Sequence, residues 1–312
     1  MPNGADVAGC AKLTATEFGS AVRIHPGRRL LMPIFRGGRQ EAAMRIEAVT
    51  VCVNYAGELA ATAPFNAPIF DRWVIITDPD DERTRRVCRR HHLQCITSSD
   101  HARNGDDFNK GRMVERGLQH LSKDCWRLHL DADIALPTRT RAFLDWAHLD
   151  EAYIYGCDRI MCNSAADWNR LLGTGFLNGT LDCGNHSVVF PPGFTVGTRW
   201  ARPDCGYVPI GFFQLWHSLA DEDHGYRIKP YPTHHGNACR TDTQHALQWD
   251  RRKRVLIPEL IAVHLATSRA NGINWNGRRS PPFGEIDAQQ QKGVSVHGPQ
   301  PISASMGAAP PS

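Results

Sequence analysis

Three features of the sequence predict an α/β protein with a mainly parallel, Rossmann-like central sheet. Short β-branched runs alternate with amphipathic stretches, acids stand where several of the apolar runs end, and 312 residues at 41% hydrophobic suffice to bury one large core. Alternation of this kind builds βαβ units, and open parallel sheets present ligand groups at the carboxyl ends of their strands.

Along the chain, residues 1–43 show no sustained periodicity. Gly, Pro and Arg interrupt every apolar run, as at Pro26-Gly27 and at Gly37-Gly38-Arg39, so this stretch is expected to be disordered. Met44 opens directly on the first strand, as expected if translation begins there. Residues 48–55 and 73–78 read as the first two strands, the second stopped by Pro79 and followed by a charged helix over 81–91. A third strand covers 93–97, a polar loop 98–107, a helix 110–121, and a buried strand 126–130 that runs into Asp131-Ala132-Asp133. Further strands are expected at 152–156 and 254–265, and the tail 288–312, rich in Gln, Gly, Pro and Ser, should be flexible. The expected organisation is a single domain over 44–287, with a nucleotide-binding half at 44–137 and an acceptor half at 138–287.

Composition removes several classes. No stretch approaches the roughly 18 consecutive apolar residues of a membrane span, and no basic segment followed by an apolar run marks a signal peptide, so the expected place is the cytoplasm without integral membrane association. Ten cysteines are scattered with no C-x-x-C, which favours buried free thiols over a zinc site. His234, His235 and Cys239 lack a fourth ligand at suitable spacing. The net charge of +4 is modest, and Arg83, Arg85, Arg86, Arg89 and Arg90 suit a solvated helix face more than a nucleic-acid surface.

Two carboxylates one residue apart at a strand end suit a divalent cation, because one reaches the metal directly and the other directly or through water. The D-x-D pattern occurs at Asp78-Pro79-Asp80, Asp131-Ala132-Asp133 and Asp221-Glu222-Asp223. Only the middle one follows a hydrophobic strand and precedes another apolar stretch closed by Pro137. From context alone, Asp131 and Asp133 fit a metal site or a polar strand-end turn.

The segment from Trp126 to Pro137, with Val53-Asn54-Tyr55, Ile76-Thr77-Asp78 and Phe108-Asn109-Lys110-Gly111, resembles the metal-binding signature and strand ends of GT-A glycosyltransferases. The likeness is to bacterial and phage-like members of the family 2 type, and it spans roughly Val49 to Arg278. It implies a GT-A fold, Mn2+ or Mg2+ as cofactor, and a nucleotide-diphosphate sugar as donor. It further implies that Tyr55 stacks on the base, that Asp78 binds base or ribose, and that Asn109 and Lys110 lie at the diphosphate with Asp131. Taken without the resemblance, Tyr55 caps a strand, Asp78 makes a turn before Pro79, and Lys110 is a solvated charge.

In the second half, the aromatic stretch 207–217 suits either core packing or the apolar face of a sugar, with Gln214 and Trp216 the residues to watch. Thr241-Asp242 resembles the acidic helix start of family 2 type enzymes, where relatives often carry Glu-Asp. Asp242 is then a candidate catalytic base, or an ordinary helix N-cap. His264 closes an apolar strand, where a lone histidine is usually structural; the resemblance implies a third metal ligand. Residues 271–278, rich in Gly and Asn, are candidates for a lid. The acceptor is expected to be a carbohydrate, with DNA carrying modified bases as the alternative. A non-catalytic nucleotide-sugar or carbohydrate-binding module remains the non-enzymatic reading. A nucleotidyltransferase is disfavoured because no Gly-rich loop with Arg follows the first strand, and a serine hydrolase because no G-x-S-x-G occurs.

Overall fold

The computed structural model describes residues 44–265, apart from 106–107, 179–190, 195–196, 198–200, 203, 222–229, 234–237 and 239. The terminal segments, the lid candidate 271–278, the His234, His235 and Cys239 group, and most of the third D-x-D motif lie outside the described residues.

Ten strands are described: β1 (Ile46–Val51), β2 (Arg72–Thr77), β3 (Gln94–Thr97), β4 (Trp126–Leu130), β5 (Ile134–Ala135), β6 (Ile154–Cys162), β7 (Ala201–Arg202), β8 (Gly206–Tyr207), β9 (Phe213–His217) and β10 (Arg254–Leu265). The helices are α1 (Ala56–Asn66), α2 (Glu82–Arg90), α3 (Lys110–Leu118), α4 (Thr140–Trp146), α5 (Ala165–Gly173) and α6 (Thr241–Ala246). Eight strands form one sheet in the order β3-β2-β1-β4-β9-β6-β10-β5. β3, β2, β1 and β4 are parallel, as are β6 and β10, while β9 and β5 run against their neighbours. The expected α/β class with a mainly parallel sheet is therefore what the chain adopts.

The sheet is covered on both faces, and the strand periodicity shows how. In β1, Ile46 and Ala48 join the core that includes Leu59 and Ala63 of α1, while Val49 and Val51 join the core that includes Met113 and Val114 of α3. Gly117 of α3 lies so close to the sheet that a Cβ there would stand 2.2 Å from Val49 Cγ2, so the helix needs glycine for its approach.

β10 shows a local rule being bent. Pro258 has no N–H to give the ladder, and the pairing with β6 slips between Ile257 and Ile261 before resuming as far as Leu265. Seven cysteines are described, all free, with five of them buried. Among the described residues no helix is long and apolar enough to cross a membrane.

Candidate active site

The parallel strands β2, β1 and β4 point their carboxyl ends the same way, so Asp78, Asn54 and Asp131 emerge along one edge. Asn54 adopts a left-handed conformation at φ 57, which its short polar side chain tolerates, and its N–H donates to Asp81 Oδ2 at 2.6 Å. This turn launches Tyr55 and α1 toward the residues that follow β4.

The acidic turn is completed from far along the chain. β5 begins immediately after Asp133 and pairs antiparallel with the end of β10, with His264 opposite Ile134. That register brings His264 Nε2 to 3.1 Å from Asp133 Oδ2, and Leu265 N–H donates to the Asp133 carbonyl at 2.8 Å. Tyr55 Oη donates to the same Oδ2 at 3.4 Å. Asp133 Oδ1 is buried and meets no hydrogen-bond partner among the described residues. Burial opposes charge on Asp133, yet His264, Lys110 and Arg159 outweigh it and hold the carboxyl below its ordinary range.

Lys110, the first residue of α3, ion-pairs with Asp131 Oδ1. Burial works against its ammonium group, but Asp131, Asp242 and Asp133 together raise its pKa. Asn109 is buried as the α3 N-cap: its Oδ1 accepts from Arg112 N–H at 3.1 Å and its amide donates to the Thr233 carbonyl. Two residues on, Gly111 sits where a Cβ would lie 1.9 Å from the Pro232 carbonyl oxygen, so only glycine lets that segment pass.

Asp242 is the second residue of α6 and makes no N-cap, because Arg240 holds that position. Its carboxylate accepts from Thr243 N–H at 2.8 Å and from Gly211 N–H, and each oxygen retains a further lone pair. Gly211 is required here: a Cβ would stand 2.7 Å from Asp242 Oδ2. Asp242 acts electrostatically on Lys110, Asp131 and Arg159, which places it on the same cluster.

Several readings change. The ring of Tyr55 is packed in the core at 6% exposure, so its face is not offered for base stacking, and its hydroxyl serves Asp133 instead. Gln214 is fully buried: its amide donates to the Pro209 and Asp242 carbonyls, each at 2.8 Å, and its Oε1 accepts from Tyr231. Trp216 packs edge-on against His245 and Trp249. Both are core, because β9 runs through the middle of the sheet. Asp78 stays at the edge but pairs with His101, 3.5 Å away, and turns back on Asp80 N–H.

Two titratable groups escaped the sequence reading. Arg159 of β6 faces Asp133, Asp131 and Asp242, with its guanidinium 4.5 Å from the Phe212 ring centroid and its Nε without a partner among the described residues. The sequence signal was an arginine, next to Asp158, in a strand whose other residues are mostly apolar. His129 donates through Nδ1 to Tyr231 Oη, 2.7 Å away, leaving its unpartnered Nε2 at 3.6 Å from Asp131 Oδ1. Burial, then Lys110, keeps this imidazole neutral. Among the described residues no three His, Cys, Asp or Glu side chains converge in a metal-holding arrangement. Asp133 and His264 form a pair, while Asp131 is taken up by Lys110.

No protein-family model matches the sequence, and no curated protein matches it. Among solved structures the chain is similar to mannosyl-3-phosphoglycerate synthase from Rubrobacter xylanophilus, at 16% identity over 37% of this chain and 41% of that one, with a TM-score of 0.31. It is also similar to glucosyl-3-phosphoglycerate synthase from Mycobacterium tuberculosis in complex with Mn2+, UDP-glucose and phosphoglyceric acid, at 15% identity, 38% and 45% coverage and a TM-score of 0.30. The same enzyme in complex with UDP gives 14%, 44% and 55%, with a TM-score of 0.29. The chain thus spans between about two fifths and just over half of those proteins' lengths, and these partial likenesses assign no role to any residue here.

Proposed function

We propose that this chain is a metal-dependent glycosyltransferase of the GT-A type, moving a sugar from a nucleotide diphosphate to a hydroxyl acceptor, for which a glycan is the reading we favour. The observation that carries it is the gathering, at the carboxyl edge of the sheet, of two pairs, Asp133 with His264 and Asp131 with Lys110, together with Arg159 and the carboxylate of Asp242.

A divalent cation fits part of this arrangement. The 3.1 Å between His264 Nε2 and Asp133 Oδ2 matches the edge between neighbouring ligands about 2.1 Å from a metal, and the bare Asp133 Oδ1 is a buried acceptor in want of a cation. Two protein ligands suffice where substrate phosphates and water supply the rest, which agrees with the lack of a third converging side chain among the described residues. Asp133 and His264 would hold Mn2+ or Mg2+, with Asp131 beside them. The metal would neutralise charge developing on the departing diphosphate.

The protein's own groups do the remainder. Lys110 and Arg159 flank the acids and offer cationic donors to phosphate oxygens, Arg159 in a planar fork. Asp242, pinned by Gly211 and Thr243, keeps lone pairs free to take the acceptor's hydroxyl proton. Asp78 is assigned to the base or ribose from its place at the β2 end.

Thermal-shift measurements against uridine, guanosine, thymidine and cytidine diphosphates, with and without Mn2+, test this reading. One nucleotide should raise the melting point in a metal-dependent way, and Asp133→Ala should remove that dependence. A wild-type protein indifferent to all four nucleotides would refute the reading. A nucleotide shift without turnover of any sugar nucleotide would favour a binding module.

A further inference from the structure

Helix α1 packs against β5, and part of its buried face is polar. Glu58, Thr62 and Asn66 recur at every fourth position, hence on one side of the helix, and each is fully inaccessible to solvent. Three polar groups in a row at such a seam are costly unless each finds a partner. The partners of two of them lie on a single short segment. Thr62 Oγ1 donates to the Ala132 carbonyl at 2.9 Å, Asn66 Nδ2 donates to the Ile134 carbonyl at 2.7 Å, and Asn66 Oδ1 accepts from Leu136 N–H at 2.9 Å. One turn nearer the helix start, Glu58 feels the charge of Asp133, and neither of its carboxylate oxygens meets a donor from another described residue.

The reason for the stripe lies in the turn it touches. β5 is only two residues long, so the carbonyls around it need donors from elsewhere, and α1 supplies them in register. We propose that Thr62 and Asn66 of this stripe form a positioning device for the acidic turn, setting where the Asp131 and Asp133 carboxylates stand and thereby the affinity of the turn for a divalent cation. The cation half of this rests on the metal-dependent reading above; the positioning half does not.

Full-length Thr62→Val keeps the shape and loses the donor, whereas Thr62→Ser keeps the hydroxyl. Ser218→Ala is the control: its Oγ accepts from Cys125 N–H at 3.0 Å beside the opposite end of β4, so it loses a buried hydrogen bond of the same kind away from the acids. Mn2+ alone is titrated and free ion read by electron paramagnetic resonance, with amide exchange followed over residues 131–136. Thr62→Val should weaken Mn2+ binding about 10-fold and speed exchange in that segment. Thr62→Ser should restore both to within about twofold, and Ser218→Ala should change neither. Wild-type affinity and exchange in Thr62→Val, failure of Thr62→Ser to rescue, or an equal loss in Ser218→Ala would each overturn the proposal. If wild type binds no Mn2+, the cation reading fails by itself, and exchange decides the positioning claim: faster in Thr62→Val supports it, unchanged overturns it. Should Thr62→Val not fold, Thr62→Ala repeats the comparison.

Discussion

Asp81 and Asp133 are equally buried, at 6% and 8% exposure, beyond the ends of β2 and β4, the two strands that flank β1, yet their surroundings differ in kind. Asp81 accepts from Asn54 N–H at 2.6 Å, Thr84 N–H at 3.0 Å, Thr84 Oγ1 at 2.7 Å and Thr77 Oγ1 at 3.2 Å. Two of its partners lie within four residues, and it caps α2. Asp133 meets one histidine and one tyrosine from distant segments, feels two cations, and leaves an oxygen bare. A buried acid saturated by neutral local donors is finished as a structural element. A buried acid among charges with an unused oxygen is built to receive something else.

Breaking that contrast begins with Asp133→Ala. Metal-dependent turnover should fall by about 10³-fold, since the cation would lose a direct ligand, while stability in chelator falls by about 2 kcal/mol as His264 and Tyr55 lose a shared acceptor. Single-turnover assays and calorimetry read the two halves. Asp81→Ala should do the reverse, costing about 3 kcal/mol of stability by orphaning several donors at once, with turnover per folded molecule nearly unchanged. If Asp81→Ala abolished the Mn2+ response without lowering the melting point, the distinction between the two acids would be lost.

Glu58 sharpens the contrast through pH. Burial, with the charge of Asp133 and against that of Arg83, raises its pKa from 4.5 to about 8. The folded chain therefore holds a proton that the unfolded chain releases near 4.5, so this contribution is complete below that pH and is lost as pH rises through 8. The loss is on the order of 5 kcal/mol at most. Urea melts at pH 5 and 8.5 should show the decline in wild type and a shallower one in Glu58→Gln; parallel slopes in the two proteins would show that Glu58 does not carry it. The smallest effect is expected at Asp78, which pairs with His101 at the edge: Asp78→Asn should raise the donor KM by about fivefold with kcat unchanged. A drop in kcat instead would place Asp78 in the chemistry.

Much of the sheet was legible. The strand over Trp126–Leu130 and the one over Arg254–Leu265 fall where the apolar runs predicted, and the strand at 152–156 was seen but underestimated, continuing to Cys162. α1 was not foreseen, because its inward face carries Glu58, Thr62 and Asn66 and its last turn contains Pro64, so no apolar period announces a helix. β9 was read as an aromatic segment of open purpose; its central place, against both β4 and β6, assigns Gln214 and Trp216 to the core.

From the sequence alone came the α/β class, the strand before the acids, and the residue types able to hold a cation or a phosphate, since alternation and chemistry are local properties. Tertiary structure alone decided which charge meets which. Lys110 reaches Asp131 across 21 residues, and His264 reaches Asp133 across 131, through the pairing of β5 with β10. Coulomb and hydrogen-bond energies depend on distance in space, and separation along the chain does not encode it.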